Sequence, residues 1–194
     1  MNILKEIKTS AIVTVILLVI CCGIYPVVVF GVGQLAFPRQ ANGSLVLDAS
    51  GKPIASTLLA QAFTADKYFN PRPSAAGQGY DPTSSSGSNL GPLSQTLHDN
   101  VKQRVADYRK ANNLPDTQLV PADAVEASGS GLDPHISVKN ALLQLPRVAK
   151  ARGMTENDLK KLVDQYTDGR NLGILGDPGV NIIKLNLALD GKYK

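Results

Sequence analysis

A single N-terminal transmembrane helix followed by an α+β extracytoplasmic domain is the fold class that this 194-residue sequence predicts. Three observations carry it. No Lys, Arg, Asp or Glu occurs between Lys8 and Arg39, so a thirty-residue stretch (9–38) is uncharged while the charged residues flank it. Apolar runs with strand character stand near the start and at the end of the remaining chain. Between them, three segments repeat apolar residues at helical spacing. The first observation excludes a uniform soluble globule. A disordered chain is excluded by 43% hydrophobic residues at a net charge of only +4. Four Phe, six Tyr and no Trp offer little stacking surface for single-stranded nucleic acid.

The span is placed at residues 11–32, AIVTVILLVICCGIYPVVVFGV. As a helix it extends roughly 33 Å, against a hydrocarbon core of about 30 Å. A cleavable signal peptide has a shorter apolar core and a small-x-small cleavage site. Residues 33–38, Gly-Gln-Leu-Ala-Phe-Pro, offer no clean site. A lipoprotein signal at Cys21–Cys22 lacks its preceding small residue, since Ile20 stands there. A permanent anchor in the lipid bilayer is therefore expected. Pro26 removes a backbone donor deep in the run and should kink the helix. The kink marks either packing against a partner helix, which would satisfy the freed carbonyl, or a simple bend near the outer leaflet.

Lys5, Lys8 and the α-amino group, opposed only by Glu6, keep the short tail 1–10 cytoplasmic. Residues 38–194 then lie outside. Their net charge of +3 is too weak and scattered for a nucleic-acid footprint. Both cysteines fall within the span, so the outer domain has no disulfide. It is long enough to bury an ordinary core.

Element by element, 45–47 and 54–59 flank Asp-Ala-Ser-Gly-Lys-Pro and read as a hairpin. Two prolines hold 68–75 extended. From 75 to 92 the composition is that of a long loop. Leu93, Leu97, Val101, Val105 and Tyr108 form the stripe of a helix over 92–113. A second loop is expected over 121–137. Ser137 is a plausible N-cap for a helix turning Ala141, Leu142, Leu145 and Val148 inward, with Pro146 as a kink. Thr-Glu-Asn-Asp (155–158) resembles a capping box, followed by the apolar face Leu159, Leu162, Val163 and Tyr166, with Gly169 as the stop. Residues 180–189 alternate at Leu185, Leu187 and Leu189 and read as a half-buried strand.

Catalytic signatures are sparse. Neither a phosphate-cradling G-x-x-x-x-G-K-[ST] nor a G-x-S-x-G elbow occurs. Gly31, Gly33 and Ala36 imitate a dinucleotide fingerprint, but after a membrane helix rather than a strand. Two histidines and two intramembrane cysteines make no structural zinc site. Asp133, His135 and Ser128 or Ser130 contain the residue types of a hydrolytic triad, but Asp133 and His135 are only two residues apart. A capped turn explains them better: Asp133 takes backbone amides and Pro134 fixes the bend. Arg72, between two prolines, donates to loop carbonyls or binds an anion. Asp81, Asp133 and Asp177 sit in Gly/Pro loops without calcium-loop spacing.

Five segments, Tyr-Phe-Asn-Pro-Arg-Pro-Ser-Ala (68–75), Gly-Ser-Asn-Leu-Gly-Pro (87–92), Ser-Gly-Ser-Gly-Leu-Asp-Pro-His-Ile-Ser (128–137), Gln-Leu-Pro-Arg-Val-Ala-Lys-Ala-Arg (144–152) and Val-Asn-Ile-Ile-Lys-Leu-Asn-Leu-Ala-Leu-Asp (180–190), come in a fixed order and spacing. Together they resemble the KdpC family, the small subunit of the bacterial high-affinity potassium-transporting P-type ATPase. The resemblance covers the whole chain. It departs at Val138, where a proline is expected, and at Gly179, where a basic residue is expected.

The resemblance implies a complex in the bacterial plasma (inner) membrane. In it a channel-like subunit takes potassium, a P-type subunit hydrolyses ATP, and this chain stabilises their assembly as a non-catalytic accessory subunit. The sequence has neither an Asp-Lys-Thr-Gly phosphorylation motif nor a Thr-Val-Gly-Tyr-Gly-like filter, as that division requires. The family is also described as a catalytic chaperone that raises ATP affinity of the hydrolytic subunit. That attribution falls on Gln144 as a nucleotide contact, whereas the lysine rule puts Gln144 across the membrane from ATP. Loops 70–92 and 128–137 are the expected partner contacts, through Asn70, Arg72, Ser88, Asn89, Ser130, Asp133 and His135, with Pro26 in the membrane. Asp133 or Asp81 would act locally on potassium entry. The rival readings are a membrane-anchored outer-surface hydrolase using Ser130 and His135, and a free-standing anchored binding module.

Overall fold

The computed structural model describes residues 3–193, so the α-amino group of Met1 lies outside the described residues. The chain divides into two units, Met1–Ser44 and Leu45–Lys194.

The first unit is helical. α1 (Ile3–Leu18), a π-helical segment (Val19–Ile24) and α2 (Tyr25–Ala36) run together as one 34-residue helix, long and apolar enough to cross a membrane. It exceeds the expected 22-residue span at both ends: Lys5, Glu6 and Lys8 are good helix formers at its start, and at its end no proline intervenes before Pro38. The widened segment sits immediately before Pro26. There the Tyr25 amide bonds to the Ile20 carbonyl, five residues back. A proline ring clashes with the carbonyl four residues before it. Widening the preceding turn absorbs that conflict, so the proline is taken up as a change of helical register. The helix stops at Phe37, the residue before Pro38, which leaves the α region at φ −136°. A short turn, α3 (Pro38–Ala41), follows.

The second unit opens with the expected hairpin. β1 (Leu45–Leu47) pairs antiparallel with β2 (Pro53–Ser56), and a bulge falls between Val46 and Leu47. Asp48 closes the turn: its Oδ1 accepts from the backbone amides of Ser50 and Lys52. A long irregular segment leads to α4 (Gln95–Ala111), capped by Ser94. After a 3₁₀ turn (Ala122–Ala124) come β3 (His135–Ser137), α5 (Val138–Arg152) and α6 (Glu156–Gln165), then β4 (Thr167–Asp168), β5 (Gly179–Asn181) and α7 (Ile182–Leu189). Ser137 and Thr155 cap α5 and α6 as expected. The sheet order is β3-β5-β4, all antiparallel, with β5 central.

Several expectations are corrected. Residues 182–189 are helix rather than strand. Asn181 caps that helix through the Lys184 amide, and Ile182, Ile183, Leu185 and Asn186 are all fully buried. A helix buried on nearly every side shows no clean helical stripe, and short apolar runs do not separate strand from helix. The loop expected over 121–137 contains the 3₁₀ turn and β3. α6 ends at Tyr166 and the chain turns into β4, so Gly169 stops no helix. Leu93 and Leu142 are exposed rather than inward, at 95% and 40%. Leu93 precedes the helix, and Leu142 falls on the outer edge of α5.

The core gathers Ile136, Ala141, Leu145, Val148, Leu159, Val163, Val180, Ile182 and Leu185 around Phe69, which no regular element carries. Phe69 is held by a side chain. Its amide donates to Asn186 Oδ1 at 2.9 Å and its carbonyl accepts from Asn186 Nδ2 at 2.9 Å. The buried amide thus imitates a neighbouring strand, satisfying both backbone groups of a non-strand residue.

Candidate functional site: two polar clusters

The next residue is gripped the same way from α5. The Asn70 amide donates to Gln144 Oε1 at 2.7 Å, and Gln144 Nε2 donates to the Asn70 carbonyl at 3.2 Å. Gln144 Nε2 also donates to Asn140 Oδ1, and Arg147 Nη2 donates to Gln144 Oε1. At 1% exposure its whole hydrogen-bonding capacity is spent inside the domain. One turn on, Arg147 meets five acceptors: Asn112 Oδ1, the Asp66 and Tyr68 carbonyls, Asn70 Oδ1 and Gln144 Oε1. Desolvation lowers its pKa, and the charge of Asp66 opposes that. Asn140 continues the network to Tyr108 and Asp123, whose carboxylate also takes the Ser137 amide and hydroxyl. Burial pushes the Tyr108 phenol well up, so it stays a neutral donor. An open cleft of about 350 Å³ lies over this network, between α4 and the Asp66–Pro71 segment. Arg152 completes the row, donating to the Lys67 and Leu189 carbonyls and to Asp190. Gln144, Arg147 and Arg152 therefore clamp the irregular 66–70 segment onto the core.

The second cluster is a file of alternating charges. Arg72 Nη1 lies 3.1 Å from Asp133 Oδ2, His135 Nδ1 is 3.5 Å from Asp133 Oδ1, His135 Nε2 is 2.8 Å from Asp168 Oδ2, and Lys184 Nζ is 3.3 Å from Asp168 Oδ1. The sheet builds it. In β3 His135 faces Asn181 of β5, and in β4 Asp168 faces Gly179 of β5. A Cβ at Gly179 would stand 3.2 Å from the His135 Cβ. Glycine at this departure position thus gives the imidazole room. Asp133 raises the His135 pKa, burial opposes it and Asp168 raises it further. The 2.8 Å contact makes Asp168 the firmer partner on geometry. Burial pushes Asp133 and Asp168 upward, but bonds from His135 and the neighbouring cations outweigh it and hold both carboxyls below their ordinary range.

Asp133 also takes the His135 amide at 2.9 Å, as the capped turn requires. Arg72 pairs with that carboxylate rather than with loop carbonyls. Ser130 Oγ accepts from the Leu132 amide, while both ring nitrogens of His135 face carboxylates, so no serine–histidine pair forms. Ser88 and Asn89 lie exposed on the long loop, Asn89 at φ 50°. Asp81 accepts from Thr83, and Asp177 pairs with Arg170. Among the described residues no three His, Cys, Asp or Glu gather to hold a metal ion.

Two groups of residues escaped the sequence reading. Arg147 stood one helical turn from Gln144, a spacing that puts both on one face. Asp168 and Lys184 gave no signal, because the sheet register alone brings them to His135.

The family model described as "K+-transporting ATPase, c chain" matches residues 7–191. The chain is 57% identical over 167 residues to the "Potassium-transporting ATPase KdpC subunit" of Mycobacterium tuberculosis (strain H37Rv), covering 86% of this chain and 88% of the relative. It is 47% identical over 188 residues to the subunit of that name from Geobacter sulfurreducens, covering 96% and 98%. For Caulobacter vibrioides the values are 53% over 169 residues, 87% and 84%.

Proposed function

Because the chain belongs to the KdpC family of K+-transporting ATPase c chains, we propose that it is a non-catalytic accessory subunit holding a channel-like potassium subunit and an ATP-hydrolysing P-type subunit in one complex. The observation that carries this reading is the long helix of the first unit, none of whose residues is buried within the chain. Such a surface is covered by lipid or by other membrane helices. In this reading the tail 1–10 is cytoplasmic, the anchor packs on the channel-like subunit near Pro26, and residues 38–194 lie outside. Asn70, Arg72, Ser88, Asn89, Ser130, Asp133 and His135 belong to the loops that meet the partners.

The family's chaperone effect on ATP affinity then acts through assembly. Gln144 has no hydrogen-bonding position left for a nucleotide, and it sets the course of 66–70 instead. Detergent pull-down through a C-terminal tag is the test. The two larger subunits should co-purify with potassium-stimulated ATPase activity. A chain recovered alone and monodisperse would support a free-standing module. Labelling of Ser130 by a fluorophosphonate would support the hydrolase.

A further inference from the structure

The π-helical segment leaves one backbone acceptor of the long helix without a donor. In a membrane helix each carbonyl is ordinarily met by an amide of its own chain. The Cys21 carbonyl is not. An α-helical bond to it would come from the Tyr25 amide, which donates instead to the Ile20 carbonyl. A π-helical bond would come from residue 26, which is proline and carries no N–H. Within Val19–Ile24 the π-helical pattern commits the earlier amides to carbonyls five residues back as well. Among the described residues no side chain donates to this oxygen.

The oxygen lies deep. Lys8, the nearest charged residue, is thirteen positions away (8 to 21), which puts Cys21 roughly 20 Å into a core of about 30 Å when Lys8 stands at the lipid surface. Water is absent there and lipid tails offer no donor, so an open carbonyl is costly. Nothing in the chain covers this turn: Cys21 is exposed, and Tyr25, one turn on, is 64% exposed. The donor must therefore come from another membrane helix. Within 11–32 only Thr14 and Tyr25 carry hydroxyls, so a second copy of this helix has few donors to give. A Ser, Thr, Asn or Gln side chain on a different helix supplies one at ordinary helix–helix distance.

We infer that a membrane helix of a larger subunit presents a Ser, Thr, Asn or Gln side chain that donates a hydrogen bond to the Cys21 carbonyl oxygen. Pro26 then does more than bend the anchor: by withholding an amide it keeps one acceptor open for the partner. The inference rests on the accessory-subunit reading and gives the anchor's docking its chemistry.

The test reads that carbonyl directly. Cys21 and Cys22 are the only cysteines and are adjacent, so cysteine labelled with carbon-13 at the carbonyl and nitrogen-15 at the amide marks one group: only the Cys21 carbonyl carbon is bonded to a labelled nitrogen. Its chemical shift is measured in the full chain alone in detergent, in the Pro26→Ala chain alone, and in the wild-type chain assembled with unlabelled larger subunits. Pro26→Ala restores an amide and should give the hydrogen-bonded value without a partner. The wild type alone should lie upfield of it and move to it on assembly. The co-expressed Pro26→Ala complex should lose its partners about three- to thirtyfold faster, the size of one interhelical hydrogen bond, while the variant chain alone melts no lower. A bonded value in the wild type alone would reveal another donor and overturn the inference, as would a value that assembly leaves unchanged. Movement on self-association of the chain would assign the donor to a second copy and overturn it too. If the co-expressed wild-type chain retains no larger subunit, the accessory-subunit reading fails first and takes the inference with it.

Discussion

Asn186, Gln144 and Arg147 are polar residues doing the work of a β-sheet. Each presents hydrogen-bonding groups to backbone that no strand accompanies, and each is buried. Substituting Asn186 by leucine fills the same space but strands the Phe69 amide and carbonyl. Two unpaired buried groups should cost about 2–5 kcal/mol, seen as a lower urea midpoint for the full chain in detergent. His135 should give a measurable pH signature. Folding raises its pKa, so its contribution is complete below the ordinary 6.5 and fades as pH rises through the higher folded value. Asp133 and Asp168 are depressed, so theirs is complete above the ordinary 3.8 and fades as pH falls. Stability from this file should peak between those values. His135→Gln should flatten the alkaline side, by about 1 kcal/mol or less because the pairs are part-exposed. Identical pH profiles for variant and wild type would remove the imidazole from the account. Polar residues among prolines and glycines singled out Asn70, Arg72, Asp133 and His135, but not the contacts they make within the chain. The Gln144 grip was not legible, because it joins residues 74 positions apart.

Elements defined by their ends were readable before the structure. Ser137 and Thr155 each cap a helix as expected, and Asp48 closes the turn of the first hairpin; α4 instead starts at Gln95, capped by Ser94, rather than at the expected 92. Elements defined by what surrounds them were not. α7 reads as a strand because Lys184, the buried Asn186 and Ala188 alternate with Leu185, Leu187 and Leu189 and so imitate an outward face. The three-residue strands β3 and β5 are too short to show a period. Pro26 was visible as a fault, but its remedy, a π-helical segment, depends on the whole helix. Gly77 within the irregular 57–94 segment, and Gly131 where it packs against that segment at Ala76 and Ser86, leave no room for a side chain. Gly131→Ala should therefore lower stability by about 2 kcal/mol or more, combining left-handed strain with a clash against Ser86. Thermal unfolding of the full chain checks this, and an unchanged midpoint would mean the two loops do not hold each other.

At the scale of the molecule, an uncharged stretch was enough to separate an anchor-like helix from an α+β unit, and five ordered segments carried the family. Which surface meets which subunit was not legible, because hollows form from loops brought together only by folding. In the proposed complex, the long helix's exposed apolar surface and the loops of the second unit would divide the docking between membrane and solvent. Gln144, in turn, sits locked in a domain whose side of the membrane decides whether it can ever approach ATP. Protease added to intact spheroplasts bearing a C-terminally tagged chain tests this most directly. Loss of the tagged portion without lysis is the result expected. Protection until the cells are broken would put the domain in the cytoplasm and make direct handling of nucleotide the better account.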